Sequence, residues 1–259
     1  FLNLAGESDF IIAASWLFSC LRPRGPYGLL LVTGEHGSGK SLLAEMMKAV
    51  LDPETASRRI APRDEDALLV SGMNHHILSF DNLSGMKNDI SDLLCGMVSG
   101  TGLSRRKLFS DLDEITLSMA RPVILNGISL ELSRPDLLSR ILPVKTATIP
   151  EEKRRTETQL RREFAAAHPR ILGALCTAVS AALRQKTAPG TKLPRLADLA
   201  DWISRAEVQG GLPWQPGAFA EALADVQREA ELDILTSTPA GAWVLDQMER
   251  SDSWRGPLK

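Results

Sequence analysis

Apolar residues return every third or fourth position in some stretches of the chain and crowd into short unbroken runs in others, and the two patterns alternate. Residues 10–21 carry Phe10, Ala14, Leu17, Phe18 and Leu21 at helical spacing, which predicts an amphipathic helix packed on a domain. A breaker cluster, Arg22-Pro-Arg-Gly-Pro, follows. Residues 27–33 are an apolar run that ends in a glycine-rich turn, the pattern of a buried parallel strand. Residues 41–51 then place Leu43, Met46, Met47 and Val50 on one helix face. The polar, proline-bounded stretch 52–63 predicts a loop or short edge strand, 64–73 a helix, and 76–80 a second buried strand. Helical spacing returns over 86–97 through Ile90, Leu93, Leu94 and Met97. Segments 103–110 and 115–120 flank the acidic turn Asp111-Leu-Asp-Glu and predict a hairpin. Residues 122–126 predict a third core strand, 135–140 a short helix and 141–149 a last strand.

Beyond Pro150 the strand signals stop. Helices are expected over 151–167, 169–185, 196–208, 216–232 and 239–250. The chain therefore divides into an α/β domain, residues 1–149, and a helical domain, residues 150–259. The dense mixture of both charges over 151–162 reads as a solvated helix face. The chain shows no internal repeat and no low-complexity tract.

With 259 residues, 44% of them hydrophobic, the chain can bury one large core, or a core and a smaller satellite. Its formal net charge of −2 gives no whole-molecule positive field, so contact with nucleic acid has to rest on local patches. Cys20, Cys95 and Cys176 are far apart and set among apolar residues, which points to reduced thiols in a cytoplasmic protein and away from a disulfide framework or zinc site. The apolar run 10–21 is too short for a bilayer and has no basic leader, so neither a membrane partner nor a secretory peptide is expected. A chain beginning at Phe1 reads as a piece of something longer.

The chemistry concentrates after the first strand. Gly34-Glu-His36-Gly37-Ser38-Gly39-Lys40-Ser41 fits G-x-x-x-x-G-K-[ST] in full. Glycines let such a loop curl so that successive backbone N–H groups face phosphate oxygens, and the helix that follows adds the positive end of its dipole. Lys40 supplies a charge for the β- and γ-phosphates and the Ser41 hydroxyl a ligand for Mg²⁺. Chance supplies the motif in roughly 1% of chains this long, and the strand before and helix after it reduce that further. A nucleoside triphosphate, ATP with Mg²⁺, is the expected ligand.

Asp81 ends the second strand about forty residues later, where a carboxylate holds Mg²⁺ in P-loop proteins, often through water. Capping of the next turn is the alternative role. Asn82 follows, where many ATPases carry a second acid that polarises the attacking water; an amide orients water but takes no proton. Asn126, at the tip of the third strand, can touch both the γ-phosphate and that water, or serve with Gly127 as a turn pair. Downstream, Arg134-Pro-Asp-Leu-Leu-Ser-Arg140 offers two arginines that reach a neighbouring subunit's nucleotide more readily than their own, Arg140 first and Arg134 second. Surface ion pairing is their other reading.

This order of phosphate loop, Phe80-Asp81-Asn82, Asn126 and Arg134 to Arg140 resembles the AAA+ ATPases, and within them the superfamily 3 helicase branch of phage and mobile-element replication proteins. The segments that carry the resemblance are residues 25–40, Phe80-Asp-Asn-Leu-Ser-Gly, Arg121-Pro-Val-Ile-Leu-Asn-Gly, Arg134-Pro-Asp-Leu-Leu-Ser-Arg and His168-Pro-Arg-Ile-Leu-Gly-Ala-Leu, and it spans about residues 3 to 235. The resemblance implies a three-layer parallel sheet of the P-loop NTPase type with a C-terminal helical domain. It implies ATP hydrolysis, nucleotide and Mg²⁺ contacts at Lys40, Ser41 and Asp81, and a sensor at Asn126. It also implies a trans-acting finger at Arg140 in a homo-oligomeric ring, commonly a hexamer, and a further contact at Arg170. Asn82 departs from the pattern and puts the usual hydrolytic base in doubt. Superfamily 3 helicases carry a DNA-tracking hairpin before the sensor strand, which makes Arg105, Arg106 and Lys107 candidates for contact with single- or double-stranded DNA. The acidic turn Asp111, Asp113 and Glu114 equally suits a structural or subunit-contact hairpin. Two other classes stay open: a slow switch-type ATPase that recruits a protein partner, and a P-loop kinase, against which the paired arginines and large helical domain argue.

Overall fold

The computed structural model describes residues 2–55, 59–60, 62, 64–83, 88–100, 102–106, 114–127, 135–185, 196–237, 243–244 and 247–248. Helix α1 (Glu7–Ser19) precedes strand β1 (Leu29–Thr33), helix α2 (Lys40–Leu51), helix α3 (Glu65–Asn74) and strand β2 (Leu78–Phe80). Helix α4 (Asn88–Ser99) leads to the hairpin β3 (Gly102–Arg106) and β4 (Glu114–Ser118), then β5 (Val123–Asn126), the short α5 (Pro135–Leu138) and β6 (Ile141–Lys145). A 3-10 turn, Glu151–Lys153, opens the helical part, α6 (Glu157–Arg184), α7 (Ala197–Val208) and α8 (Ala218–Ser237).

Four strands form a parallel sheet in the order β2-β5-β1-β6. Their continuous apolar runs follow from burial on both faces, since helices cover each side. On one face Leu30, Val32, Ile124, Leu142 and Val144 pack with α1, α2, α6, α7 and α8. On the other, Leu29, Leu78, Phe80, Val123, Leu125 and Ile141 meet Leu68 and Leu69 of α3, Leu94 and Met97 of α4, and Leu137 of α5. The result is the three-layer α/β architecture expected, with the helical part added. Pro150 marks the change of secondary structure, and one hydrophobic cluster runs across it from Ile12 to Val226.

Helix α1 differs from the amphipathic helix expected. It is buried on most sides, including Ser15 and Ser19, because it lies between α8 and the edge strand β6. Phe10, assigned by spacing to its inner face, is 43% exposed and makes a T-shaped contact with Trp214, centroids 6.2 Å apart. Trp16 Nε1 donates to Gly28 O at 2.8 Å, and Phe18 stacks on Trp202 at 5.5 Å. Asp9 is buried and accepts from Lys145 N at 2.7 Å; burial raises its pKa despite that hydrogen bond.

The two helices expected over 151–167 and 169–185 are one helix, α6, with Pro169 inside it. A capping box of Thr156 and Gln159 starts it. Proline there removes one ladder hydrogen bond and costs about 3 kcal/mol. Both halves are anchored independently: the first by the Arg161 ion pair with Glu45 and by His168 Nε2 at 3.0 Å from Val50 O, the second by buried Leu175, Ala178 and Ala182. Among the described helices α6 has the length and composition to cross a bilayer, with mean hydropathy 1.2 over its most apolar window. Strand β6 stops at Lys145, short of 149. Of the helix expected over 239–250, residues 243–244 and 247–248 are helical and the rest lie outside the described residues.

Helix α8 has no side-chain cap of its own at position 217; a buried carboxylate from α7 does that work. Glu207 accepts from Trp214 Nε1, Gly217 N and Phe219 N, each at 2.9 Å. Glu207→Ala leaves three donors without this acceptor, and the expected loss is about 3 kcal/mol, read as a lower urea midpoint. A loss under about 1 kcal/mol would show that the carboxylate does not hold α8 in place.

Candidate functional site

The site forms where β1, β5 and β2 end side by side. After Thr33 the chain turns at Gly34, φ 150°, where a Cβ would collide with Thr146 Oγ1 and stand 3.0 Å from Ser38 Oγ and from Thr146 O. Gly39 caps α2 with φ 88°, a left-handed conformation that side chains resist. Lys40 is the first residue of the helix, and its Nζ folds back on its own loop, donating to Gly34 O at 2.8 Å and Glu35 O at 2.6 Å. Partial burial lowers the Lys40 pKa, against the pull of Asp81. Ser41 Oγ donates to Asp81 Oδ1 at 2.8 Å. The Ser38 side chain turns away, donating to Glu35 O at 2.8 Å and sharing a 2.7 Å hydrogen bond with Thr146 Oγ1, so this residue offers the site only its backbone.

Strand β5 lies between β1 and β2. Its last residue, Asn126, therefore stands between the phosphate loop and Asp81. Asn126 is 1% exposed; its Oδ1 accepts from Asn82 N and its backbone O from Leu83 N, both at 2.9 Å. The turn this imposes puts Asn82 at φ 55°, a region asparagine enters more readily than most residues. Asn126 Nδ2 is buried without a hydrogen-bond partner among the described residues. Asp81 is held through its own amide, which donates to Arg59 O at 2.7 Å beside the bridge of Arg59 to Phe80. The Arg59 side chain is fixed in turn by Glu54 at 2.8 Å and His75 Nε2 at 2.6 Å.

These groups share one cleft of about 680 Å³. His36, Gly37, Gly39, Lys40, Ser41, Asp81, Asn82 and Asn126 line it, together with Leu2, Asn3, Ile149, Pro150, Lys153, Arg154 and Arg155. The donors are oxygens and cations, the set that suits a polyphosphate with a hard divalent ion. No group of three or more histidine, cysteine, aspartate or glutamate side chains suited to a metal occurs among the described residues.

Arg140 stands elsewhere. Its carbonyl accepts from Leu29 N at 2.9 Å, at the beginning of β1, so it lies at the opposite end of the sheet from the loop that follows Thr33. Its guanidinium donates to Ser99 Oγ at 2.9 Å and Asp136 O at 3.3 Å. Arg170 is exposed on α6 and is not among the residues lining the cleft. Arg105 and Arg106 lie on β3, paired with Ile115 and Glu114 of β4, as the expected hairpin requires. Lys107 and Arg134 lie outside the described residues. Sequence reasoning passed over Lys153, Arg154 and Arg155 as part of a solvated charge run; the signal available was three consecutive cations soon after the last core strand.

A phosphate loop, a carboxylate at a neighbouring strand tip and an asparagine between them, on a parallel sheet with helices on both faces, define the P-loop NTPase fold. Over residues 1–228 the chain matches the model of the actinomycete integrative conjugative element replication protein. The chain belongs to that family. No curated protein matches it in sequence. Among solved structures, the apo NrS-1 C-terminal region is similar at 13% identity and a TM-score of 0.46, over 83% of this chain and 46% of that one. Another structure of that region gives 15% identity and a TM-score of 0.43, with this chain spanning 63% of itself and 39% of the relative. JCV helicase is similar at 13% identity and a TM-score of 0.37, over 86% of this chain and 66% of that one.

Two outcomes follow from this geometry. Gly34→Ala should cost about 2 kcal/mol through strain and the clash with Thr146; a variant as stable as the parent in thermal unfolding would mean the close approach is not required. Asp52, at the end of α2, accepts from Lys48 Nζ at 2.7 Å and Ile77 N at 2.9 Å. Burial alone raises its pKa, but Lys48, the Ile77 amide and His75 outweigh it and hold it below the ordinary carboxylate value. A depressed folded pKa contributes stability that is complete above about pH 4 and lost as pH falls through the lowered value. Urea midpoints measured from pH 7 down to about pH 2 should therefore drop more steeply for the parent than for Asp52→Asn, and parallel curves would contradict the assignment.

Proposed function

We propose that this chain binds ATP with Mg²⁺ in the cleft at the strand tips and hydrolyses it as a ring-forming motor acting on DNA in mobile-element replication. The observation that carries the reading is the convergence of Lys40, the Ser41–Asp81 pair and the buried Asn126 amide on a single cleft. Ser41 and Asp81 offer hard oxygens only, 2.8 Å apart, which fits an ion that takes one or two protein oxygens and fills its other positions with water and phosphate. When bound, Mg²⁺ supplies charge for the β- and γ-phosphate oxygens. Lys40 exchanges two loop carbonyls for those phosphates, and the backbone at the start of α2 adds the positive end of the helix dipole. Asn126 Nδ2 finds in the γ-phosphate or the attacking water the acceptor it lacks among the described residues.

The position of Arg140 at the far end of the sheet supports a role toward a neighbour's nucleotide, with Arg134 as second candidate. A finger in trans stabilises charge on the transferring phosphoryl group and makes a ring, of hexameric type, the working form. Arg105, Arg106 and Lys107 of the hairpin region are the proposed DNA contacts. A second reading, a slow switch-type ATPase that recruits a protein, is favoured by Asn82. Its amide N–H is committed to Asn126 and its side chain takes no proton, so the chain brings no base of its own to that position.

ATP turnover measured with and without single-stranded DNA at low salt tests both readings. The motor reading expects DNA to accelerate turnover. Ser41→Ala and Asp81→Asn should weaken Mg²⁺-dependent ATP binding by roughly 10–100-fold. Arg140→Ala should spare binding and lower turnover by about 10³-fold. Absence of DNA binding and stimulation would sink the motor reading in favour of the switch, and a chain that sediments as a monomer with ATP and Mg²⁺ would remove the finger role of Arg140.

A further inference from the structure

We infer that Lys153 and Arg154 form a second cationic wall of the nucleotide cleft, gripping the polyphosphate from the helical part of the same chain. The inference rests on the nucleotide reading above. Around the cleft stand four cations, Lys40, Lys153, Arg154 and Arg155, against two acids, Asp81 and Glu157. Glu157 is engaged by Arg161 Nη2 at 3.3 Å, and Asp81 by Ser41. Such an excess of positive charge in a concave site favours a polyanion over a neutral ligand.

The three consecutive cations are not equivalent. Arg155 Nη1 donates to both oxygens of Glu163, at 3.0 and 2.8 Å, so it fixes the turn and has the least charge to spare. Arg154 has one distant exposed partner, Glu151 at 3.6 Å, a contact of the kind worth little in water. Lys153 has no ion pair among the described residues. The backbone carrying them is already ordered: Lys153 N donates to Pro150 O at 3.0 Å, Arg154 N to Glu151 O at 3.1 Å, and the capping box of α6 follows. The two walls are also fixed to each other, because Arg161 of α6 pairs with Glu45 of α2, the helix that carries Lys40 and Ser41. Cations held in place before the ligand arrives lose little entropy on contact, and charge-assisted contacts to phosphate are the strong kind.

A grip on phosphate predicts a loss that grows with the number of phosphates. For the 259-residue chain, titration with MgATP, MgADP and AMP should show the double variant Lys153→Gln/Arg154→Gln weakened by about tenfold or more for ATP, less for ADP and hardly at all for AMP. Lys153→Arg/Arg154→Lys, which keeps the charge, should retain near-parental affinity, and Arg170→Gln should behave as the parent. Equal losses for all three nucleotides would overturn the inference by assigning these residues to the base, the ribose or the folded state. Unchanged ATP affinity in the double variant would overturn it too. A parental chain that binds none of the three nucleotides would overturn the nucleotide reading itself, an outcome distinct from a parent that binds and a variant that binds equally well.

Discussion

Asn126 is wedged between the two strand tips whose residues face each other across the cleft, and both of its oxygens are spent on the turn that leaves β2. This follows from strand order alone. With β5 between β1 and β2, whatever ends β5 must fill the gap between the phosphate loop and Asp81. Asn126 does so by accepting from Asn82 N on its side-chain oxygen and from Leu83 N on its backbone carbonyl, and the chain after Asp81 adopts a left-handed residue, Asn82, where those two N–H groups are delivered. The donor left over, Nδ2, is buried and has no partner among the described residues, a situation that costs about 1–3 kcal/mol unless something enters the cleft to accept from it. Polar groups left in that state concentrate where ligands bind, because the surrounding structure holds them there at a cost to stability.

The distance between Ser41 and Asp81 is set from the back of the site as well. Helix α2 begins with Lys40 in the cleft and carries Lys48, 1% exposed, on its inner side. Lys48 Nζ donates to Ile77 O and to Asp52, and Asp52 accepts from Ile77 N, so the residue just before β2 is pinned to the end of α2. The helix acts as a strut: its first turn bears the serine, its last turn holds the start of the strand whose tip bears the aspartate. Glu54 extends the clamp through Arg59 and His75, and the Arg59 carbonyl holds Asp81 N. A buried lysine is tolerated here because its charge meets a carboxylate and a carbonyl, the condition under which burial of an ammonium does not become prohibitive.

Much of this was legible in residue order. Parallel strands buried on both faces read as plain apolar runs, so β1, β2 and β5 stood out, and G-x-x-x-x-G-K-S fixed where the chain must curl. What the sequence hid was contact between distant segments. Spacing put Met46, Met47 and Val50 inside but gave no sign that Lys48 goes in with them, since its partners Asp52 and Ile77 O come together only when β2 docks. Pro169 read as a helix boundary because a local rule forbids it in a helix interior; the anchors that override the rule, Glu45 and Val50, lie more than a hundred residues away. The charge run is exposed over 151–159, as its composition predicted; what residue order did not show is that 153–155 also border the cleft, because that depends on what folds beside them. Phe10 failed in the other direction, left half exposed because α8 and β6 had already taken the other sides of α1.

The two walls of the cleft are also one hydrogen-bonded unit. Asn3 Nδ2 donates to Ser38 O in the phosphate loop at 3.1 Å and to Ala147 O, while Ala147 N donates to Asn3 O at 3.1 Å. Thr146 Oγ1 lies 3.1 Å from Thr33 O and 2.7 Å from Ser38 Oγ, sharing its one proton between them. The loop is thus tied on its outer side to residues 146 and 147, which lead within a few residues to Pro150 and the cationic turn. Any ligand that draws the loop inward pulls on the root of that turn, and α6 cannot relax independently because Arg161 binds it to α2. Since one hydrophobic cluster spans both parts, a change at the loop has two directions to travel, through Asn3 into the segment before α1 and through Thr146 into the helical part. The Asn3 bonds are partly buried, whereas the Ser38–Thr146 bond and the Lys48 contact to Ile77 O at the far end of α2 are buried. The Ser41–Asp81 side of the site is therefore fixed by the buried strut of α2, and the turn that bears Lys153 and Arg154 is tied to the same helix through Arg161 and Glu45.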